Sequence, residues 1–175
     1  MNKKLKLEEL DRLSVEEFKH SKKFPLSLLL DNIRSHHNVG SAFRTADAFK
    51  LRSLHLAGIT PCPPHREIRK TAIGAEESVA WTYEDDPIAF LNSKKASGVQ
   101  VIVLEQTQRS IKLNEYKHEA EEVILVVGNE VEGVQQEIVE LADQCVEIPQ
   151  FGTKHSLNVS VALGICTWKI VENLV

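Results

Sequence analysis

Three stretches near the end of the chain decide its reading: Val123-Ile-Leu-Val-Val-Gly-Asn-Glu-Val-Glu-Gly-Val134, then Cys145-Val-Glu-Ile-Pro-Gln-Phe-Gly152, then His155-Ser-Leu-Asn-Val-Ser-Val-Ala-Leu-Gly-Ile165. The apolar run Val123 to Val127 opens into a loop, Gly128 to Gly133, that carries two carboxylates, Glu130 and Glu132. A second run, Val146 to Ile148, opens into another loop, which feeds an apolar helix. Strands that discharge into loops at their carboxyl ends are where open α/β sheets bind ligands. Gly128 and Gly133 allow backbone to approach a ligand closely. Glu130 and Glu132 would repel a pyrophosphate, and no Lys-Ser/Thr pair follows, which argues against a P-loop. A ligand with a positive centre suits this loop better.

Upstream, short apolar runs alternate with helical patterns. Leu5 to Lys19 has apolar residues at helical spacing and predicts an amphipathic helix. Leu26 to Leu30 reads as a buried strand ending at Asp31, and Asn38 to Phe49 as a helix with Asn38 near its N-cap. Further strands are expected at Ser53–Ala57, Val79–Tyr83 and Val99–Leu104, with a loop and short helix over Arg66–Glu77. Helices are expected at Pro87–Ser97, where proline suits the first turn, and at Gln135–Ala142. The alternation predicts a mostly parallel sheet covered by helices on both faces. The last helix, His155 to Asn173, is apolar almost all round, so it must be buried on more than one side. A homodimer interface answers that requirement. No repeat or long linker divides the chain; residues 1–24 read as a helical extension and 25–175 as one domain.

With 175 residues, 42% of them hydrophobic and 26% charged, the composition is that of an ordinary soluble domain. The apolar runs are strand-length and the N-terminus is charged throughout, so neither a membrane span nor a signal core is expected, and the cytoplasm is the expected location. Cys62, Cys145 and Cys166 lack C-x-x-C spacing, and the seven histidines form no H-x-x-x-H, which argues against a metal site. Net charge is −4, so any nucleic-acid contact must use local clusters: Lys3/Lys4/Lys6, Lys19/Lys22/Lys23 or Arg66/Arg69/Lys70. The positive-centred ligand that the acidic loop favours points to S-adenosylmethionine, a sulfonium, rather than to NAD or ATP.

Three segments then combine. Asn38-Val-Gly-Ser-Ala-Phe-Arg-Thr-Ala46 follows the first strand, Gly128-Asn-Glu-Val-Glu-Gly133 the fifth, and Ile148-Pro-Gln-Phe-Gly152 with Ser156-Leu-Asn-Val-Ser-Val-Ala162 the sixth. Together they resemble, in order and spacing, the signature motifs of the SpoU (TrmH-type) family of SPOUT RNA 2′-O-ribose methyltransferases. The resemblance runs from about Leu26 to the C-terminus. Glu105-Gln-Thr-Gln-Arg-Ser-Ile-Lys-Leu113 and Val146-Glu-Ile-Pro-Gln150 also look like the catalytic domain of eukaryotic tRNA guanosine-18 ribose methyltransferases.

The resemblance implies an α/β fold whose C-terminal segment is tucked into a deep trefoil knot, with S-adenosylmethionine bound in the knotted loops. It implies that Arg44 is the catalytic arginine, that Asn38 supports it, and that Glu130, Ser156 and Asn158 complete the motif residues. Leu104, Gln106, Gly128, Ile148 and Leu157 fall where the family wraps the cofactor, largely through backbone groups. Taken singly, these residues have plainer readings: Arg44 on a helix surface, Asn38 and Ser156 as helix caps, Glu130 in a turn. A guanidinium keeps its proton in ordinary surroundings. Arg44 is therefore expected either to assist removal of the ribose 2′-hydroxyl proton or to clamp the neighbouring phosphate and stabilise the alkoxide.

The expected activity is S-adenosylmethionine-dependent methylation of a ribose 2′-hydroxyl, with tRNA preferred over rRNA and guanosine 18 a candidate position. The preference rests on the short segment before the first strand, since rRNA relatives often carry an extra N-terminal RNA-binding domain. An rRNA enzyme and a non-catalytic RNA-binding protein on the same fold are the alternatives. A nucleotide-binding oxidoreductase is disfavoured by the missing glycine fingerprint. The modified nucleotide is not legible in the sequence.

Overall fold

Pro25-Leu-Ser-Leu-Leu-Leu-Asp31 is apolar on both sides of the pleat, and a strand of that kind is stable only with both sheet faces covered. The computed structural model, which describes residues 1–117 and 120–172, places this run in the middle of a seven-stranded sheet. The strands are β1 (Phe24–Asp31), β2 (Leu51–Ala57), β3 (Trp81–Glu84), β4 (Gln100–Leu104), β5 (Ile111–Lys112), β6 (Val123–Gly128) and β7 (Gln144–Glu147). Their order is β3-β2-β1-β6-β4-β7-β5, and every paired neighbour runs parallel. The helices are α1 (Val15–His20), α2 (His36–Ala48), α3 (Arg66–Ala72), α4 (Ala75–Ser78), α5 (Pro87–Ala96), α6 (Gln136–Leu141) and α7 (Val159–Val171).

Alternation along the central strands feeds two cores. Leu28, Leu30, Leu125 and Val127 face the side covered by α2, α3 and α7, with Val39, Phe43, Ile68, Leu163, Cys166 and Ile170 packed against them. Leu29, Ile124 and Val126 face the opposite side, where Leu91 of α5 and Ile138 of α6 close the second core. Fully burying one such side chain contributes roughly 1.5–3 kcal/mol. Burial pushes the Cys166 thiol up to about 12, while Cys62 and Cys145 are half-buried.

Beyond strand ends shifted by one or two residues, and two short helices where a loop and one helix are expected over Arg66–Glu77, the elements differ from the sequence reading in four places. The single helix expected over Leu5–Lys19 is a 3-10 turn, Leu7–Glu9, followed by the six-residue α1. The break has a local cause: Asp11 sits at a left-handed φ of 44°, and Ser14 begins a new helix with a reciprocal capping box to Glu17. Helix α2 begins two residues earlier than expected, capped by Ser35, so Asn38 is inside the first turn and its side chain is free for other work. Strand β5 and the 3-10 turn Leu113–Glu115 fall where no element is expected, because two residues of strand give no readable period. Helix α7 starts at Val159 with Asn158 as its cap, so Ser156 lies in the preceding loop; Asn173, the expected end, lies outside the described residues.

Candidate functional site

The carboxyl ends of β4, β6 and β7 discharge into three loops that enclose a cleft of about 340 Å³. The first loop brings Leu104, Glu105 and Gln106, the second the whole stretch Gly128–Gly133, and the third Glu147, Ile148 and Gln150 with His155, Ser156 and Leu157. Val159 and Ala162 of α7 form part of its wall. All five positions expected to wrap a cofactor, Leu104, Gln106, Gly128, Ile148 and Leu157, line this cleft, as do Glu130 and Ser156.

The two glycines do more than admit a ligand. A Cβ on Gly128 would stand 2.1 Å from the backbone of Gly133, so the loop folds back on itself only with glycine there. Gly133 has φ +71°, and a Cβ on it would meet the Glu105 carboxylate at 2.2 Å. Asn129, almost fully buried, accepts from the backbone N–H groups of Val131 (2.9 Å) and Glu132 (2.8 Å), pinning the turn from inside. Glu105 accepts from the N–H of Val134 at 3.1 Å and of Gln106 at 2.9 Å, joining the first loop to the second. The third loop is held more lightly: Gln106 and Gln150 side chains donate to the His155 carbonyl at 3.3 and 3.4 Å.

One bond network links the motif residues across the chain. Asn38 donates its amide to Glu130, 92 positions away. Asn158 donates to the Asn38 amide oxygen at 3.2 Å across 120 positions, and its own oxygen accepts from the Ser160 N–H and hydroxyl at 3.0 and 2.6 Å. Thus Asn38 braces Glu130 and the start of α7 and makes no bond to Arg44. Arg44 lies six positions further along α2, roughly 240° around its axis. It is exposed, forms no ion pair or hydrogen bond among the described residues, and lines a shallow depression with Ser41, Thr45, Phe49, Lys70 and Thr71. Within one chain, then, Asn38, Glu130 and Asn158 come together beside the cleft with Ser156 on its wall, and Arg44 is on another face.

Sequence reasoning missed Asp31, Asn129 and Glu105. Asp31 is completely buried and accepts from the Gln135 backbone N–H (2.7 Å), the Gln135 amide (2.6 Å) and Asn32 (2.8 Å), fastening the start of α6 to the end of β1. A buried carboxylate is tolerated only with such partners. A charged residue ending an apolar strand was the visible signal; the partner 104 positions away was not.

A parallel sheet with a ligand-sized, carboxylate-lined cleft at the carboxyl ends of its strands defines an open α/β protein with its site at the strand ends. Residues 25–168 match the model of the SpoU rRNA Methylase family, and the chain belongs to that family. It is 33% identical to the tRNA (guanosine(18)-2′-O)-methyltransferase of Aquifex aeolicus over 82% of this chain and 67% of that one. It is 31% identical to the 23S rRNA (guanosine-2′-O-)-methyltransferase RlmB of Ralstonia nicotianae over 85% of this chain, which spans 59% of that relative. The A. aeolicus TrmH/SpoU tRNA modifying enzyme superposes with TM-score 0.80 at 29% identity, covering 91% of this chain and 82% of that one. An AdoMet-bound rRNA methyltransferase from Sinorhizobium meliloti superposes with TM-score 0.81 at 27% identity, covering 94% and 62%.

Proposed function

We propose that this chain is an S-adenosylmethionine-dependent RNA methyltransferase that modifies a ribose 2′-hydroxyl, with tRNA as the preferred substrate. The observation that carries the reading is the cleft itself: three loops braced by the Asn38–Glu130 and Asn158–Asn38 bonds. Its donor set fits S-adenosylmethionine. Glu105, Glu130, Glu132 and Glu147 offer negative charge to a sulfonium, while Leu104, Val127, Ile148 and Leu157 offer apolar walls to an adenosine. Among the described residues no group of His, Cys, Asp and Glu is placed to hold a metal. When bound, S-adenosylmethionine supplies an electrophilic methyl group.

The chain's own residues then have separate tasks. Asn38 and Asn158 fix Glu130 and the start of α7, and Ser156 lines the cleft. Arg44 clamps a phosphate next to the target ribose and offsets charge on the 2′-oxygen, a planar forked donor being suited to both. Arg44 lines a depression separate from the cleft of its own chain, and a second copy would bring a cleft to it. The surface supports this: Val161, Ile165 and Trp168 of α7 are half-exposed apolar side chains, and Trp168 packs on Phe49, which caps the end of α2 and lines the same depression as Arg44. A homodimer across α2 and α7 covers those side chains and carries each Arg44 toward the partner's cleft.

The return of the chain after β7 to pack α7 against α2, β6 and the Leu113–Glu115 turn supports a knotted C-terminal path. The division into an extension over 1–24 and a methyltransferase domain over 25–175 and a cytoplasmic location belong to the same reading. An rRNA substrate is the second reading, favoured by the identity to the R. nicotianae enzyme. Calorimetry on metal-stripped protein tests cofactor use: S-adenosylmethionine binds without added divalent ion, and a strict ion requirement would sink the assignment. Mass spectrometry of nucleosides from tRNA and rRNA of a deletion strain identifies the substrate: loss of one 2′-O-methylnucleoside from tRNA is expected.

A further inference from the structure

Four carboxylates line the cleft, so it cannot itself hold an RNA backbone, and the overall charge of −4 gives no long-range help. The phosphates must be gripped elsewhere on the molecule. Of the three basic clusters in the sequence, the structure separates one from the others. Lys23 is folded down over the Phe18 ring, 3.2 Å from its centroid, and bonds the Phe18 carbonyl and the Ser21 hydroxyl. Lys3, Lys4 and Lys6 lie on the exposed N-terminal stretch before α1, and neither they nor the exposed Lys19 and Lys22 line the cleft or the depression that holds Arg44.

Arg66, Arg69 and Lys70 are placed differently. They project from α3, which packs along α2, and line a depression of about 690 Å³ together with His65, Trp81 and the carboxylates Glu76 and Glu77. Lys70 also lines the neighbouring depression that contains Arg44. Lys70 is thus the shared wall of two adjoining hollows, and the cations Arg44, Lys70, Arg69 and Arg66 form one continuous strip. We infer that this strip is the track that holds the phosphodiester backbone of the substrate RNA and delivers its ribose to Arg44.

The intervening acids do not block it. Lys70 pairs with Glu67 at 2.9 Å and Arg69 with Glu77 at 2.7 Å, largely solvent-exposed pairs of the kind that contribute little, and Arg69 also stands 3.6 Å from the nearly buried Glu76 while itself remaining exposed. A backbone phosphodiester carries one negative charge, as a carboxylate does, and its two non-bridging oxygens accept from the same Lys and Arg donors, so a run of them replaces these exposed pairs. Arg66 has no ion-pair partner among the described residues. Aromatic faces lie beside the cations: His36 and His65 stack with centroids 3.9 Å apart, and the Trp81 ring borders the same hollow. Cations interleaved with aromatic faces suit a single-stranded RNA segment, which offers phosphates and unstacked bases together.

The inference rests on the proposed RNA methyltransferase activity and is tested separately from it. Binding of a full-length tRNA transcript is measured as a function of salt for wild type, Arg66→Gln, Arg66→Gln/Lys70→Gln, and a control with Lys3, Lys4 and Lys6 all changed to Gln. Each lost phosphate contact lowers the slope of log affinity against log salt by about one. The double variant is expected to lose roughly two from the slope and to bind about tenfold or more weakly at moderate salt, with S-adenosylmethionine affinity unchanged. Arg66→Gln alone, which breaks no ion pair, is expected to lose about one. Wild-type slopes in the α3 variants of a protein that methylates the transcript overturn the track and leave the activity standing, as does a loss confined to the Lys3/Lys4/Lys6 control. A wild type that neither binds nor methylates RNA overturns both.

Discussion

The cleft and the outward face of α2 and α3 are built on opposite principles. The cleft is complete in one chain: its turns are pinned by Asn129 and Glu105, its glycines are required by the fold, and its motif residues bond one another. The outward face is left open: Arg44 has no ion-pair or hydrogen-bond partner among the described residues, and the apolar side chains of α7 beside it are half-exposed. The first region is acidic and organised for a small cationic ligand; the second is cationic and organised for something that arrives from outside. A polyanionic substrate and a cationic methyl donor need opposite electrostatics, and the fold provides them on separate surfaces.

The largest effect on this division comes from Arg44. Arg44→Ala should lower the single-turnover rate of tRNA ribose methylation by about 10²–10³-fold, the usual loss for a transition-state electrostatic contact. Melting temperature and S-adenosylmethionine affinity should stay near wild type, because an exposed arginine adds little to stability. Arg44→Lys should recover little, since an ammonium lacks the planar fork. A drop in cofactor affinity in Arg44→Ala would place the residue with the cleft and dissolve the comparison.

A smaller effect is expected at the edge of the open face. Ile165 is 42% exposed on α7, so Ile165→Asp should fold normally. Removing an apolar contact worth roughly 1.5–3 kcal/mol should weaken self-association about 10- to 150-fold, visible by sedimentation, and activity should fall in step. A wild-type protein that is fully active as a monomer at all concentrations contradicts the dimer.

How much of this was legible in the sequence follows the same line between local and distant causes. The strands were legible because runs such as Val123–Val127 and Leu26–Leu30 are strand-length and wholly apolar, and the sheet needed both faces covered. The cleft-lining residues were legible through the motif resemblance, and the loops do gather them. What failed was decided by contacts across the chain. Asn38 reads as a cap from its neighbours, yet Ser35 caps α2 and Asn38 bonds residues 92 and 120 positions away. The motif resemblance implies that Asn38 supports Arg44, while helical rotation sets the two side chains apart within one chain. The helical spacing of apolar residues over Leu5–Lys19 suggested one helix, but Leu5 and Leu13 are exposed, and with no surface to bury them the pattern gives only short turns.

The central claim is that a working site takes its cleft from one copy and its Arg44 from another. It is tested most directly by mixing two inactive proteins. Arg44→Ala keeps its cleft, and Leu157→Trp, which fills the cleft from an exposed loop position, keeps its Arg44. Co-expressed with different tags and purified as the full mixture, they should form hybrid dimers in which one site is intact, restoring about a quarter of wild-type activity. A mixture as inactive as its parents, with hybrid dimers shown to be present, would mean that Arg44 serves its own chain's cleft or does not act in the reaction.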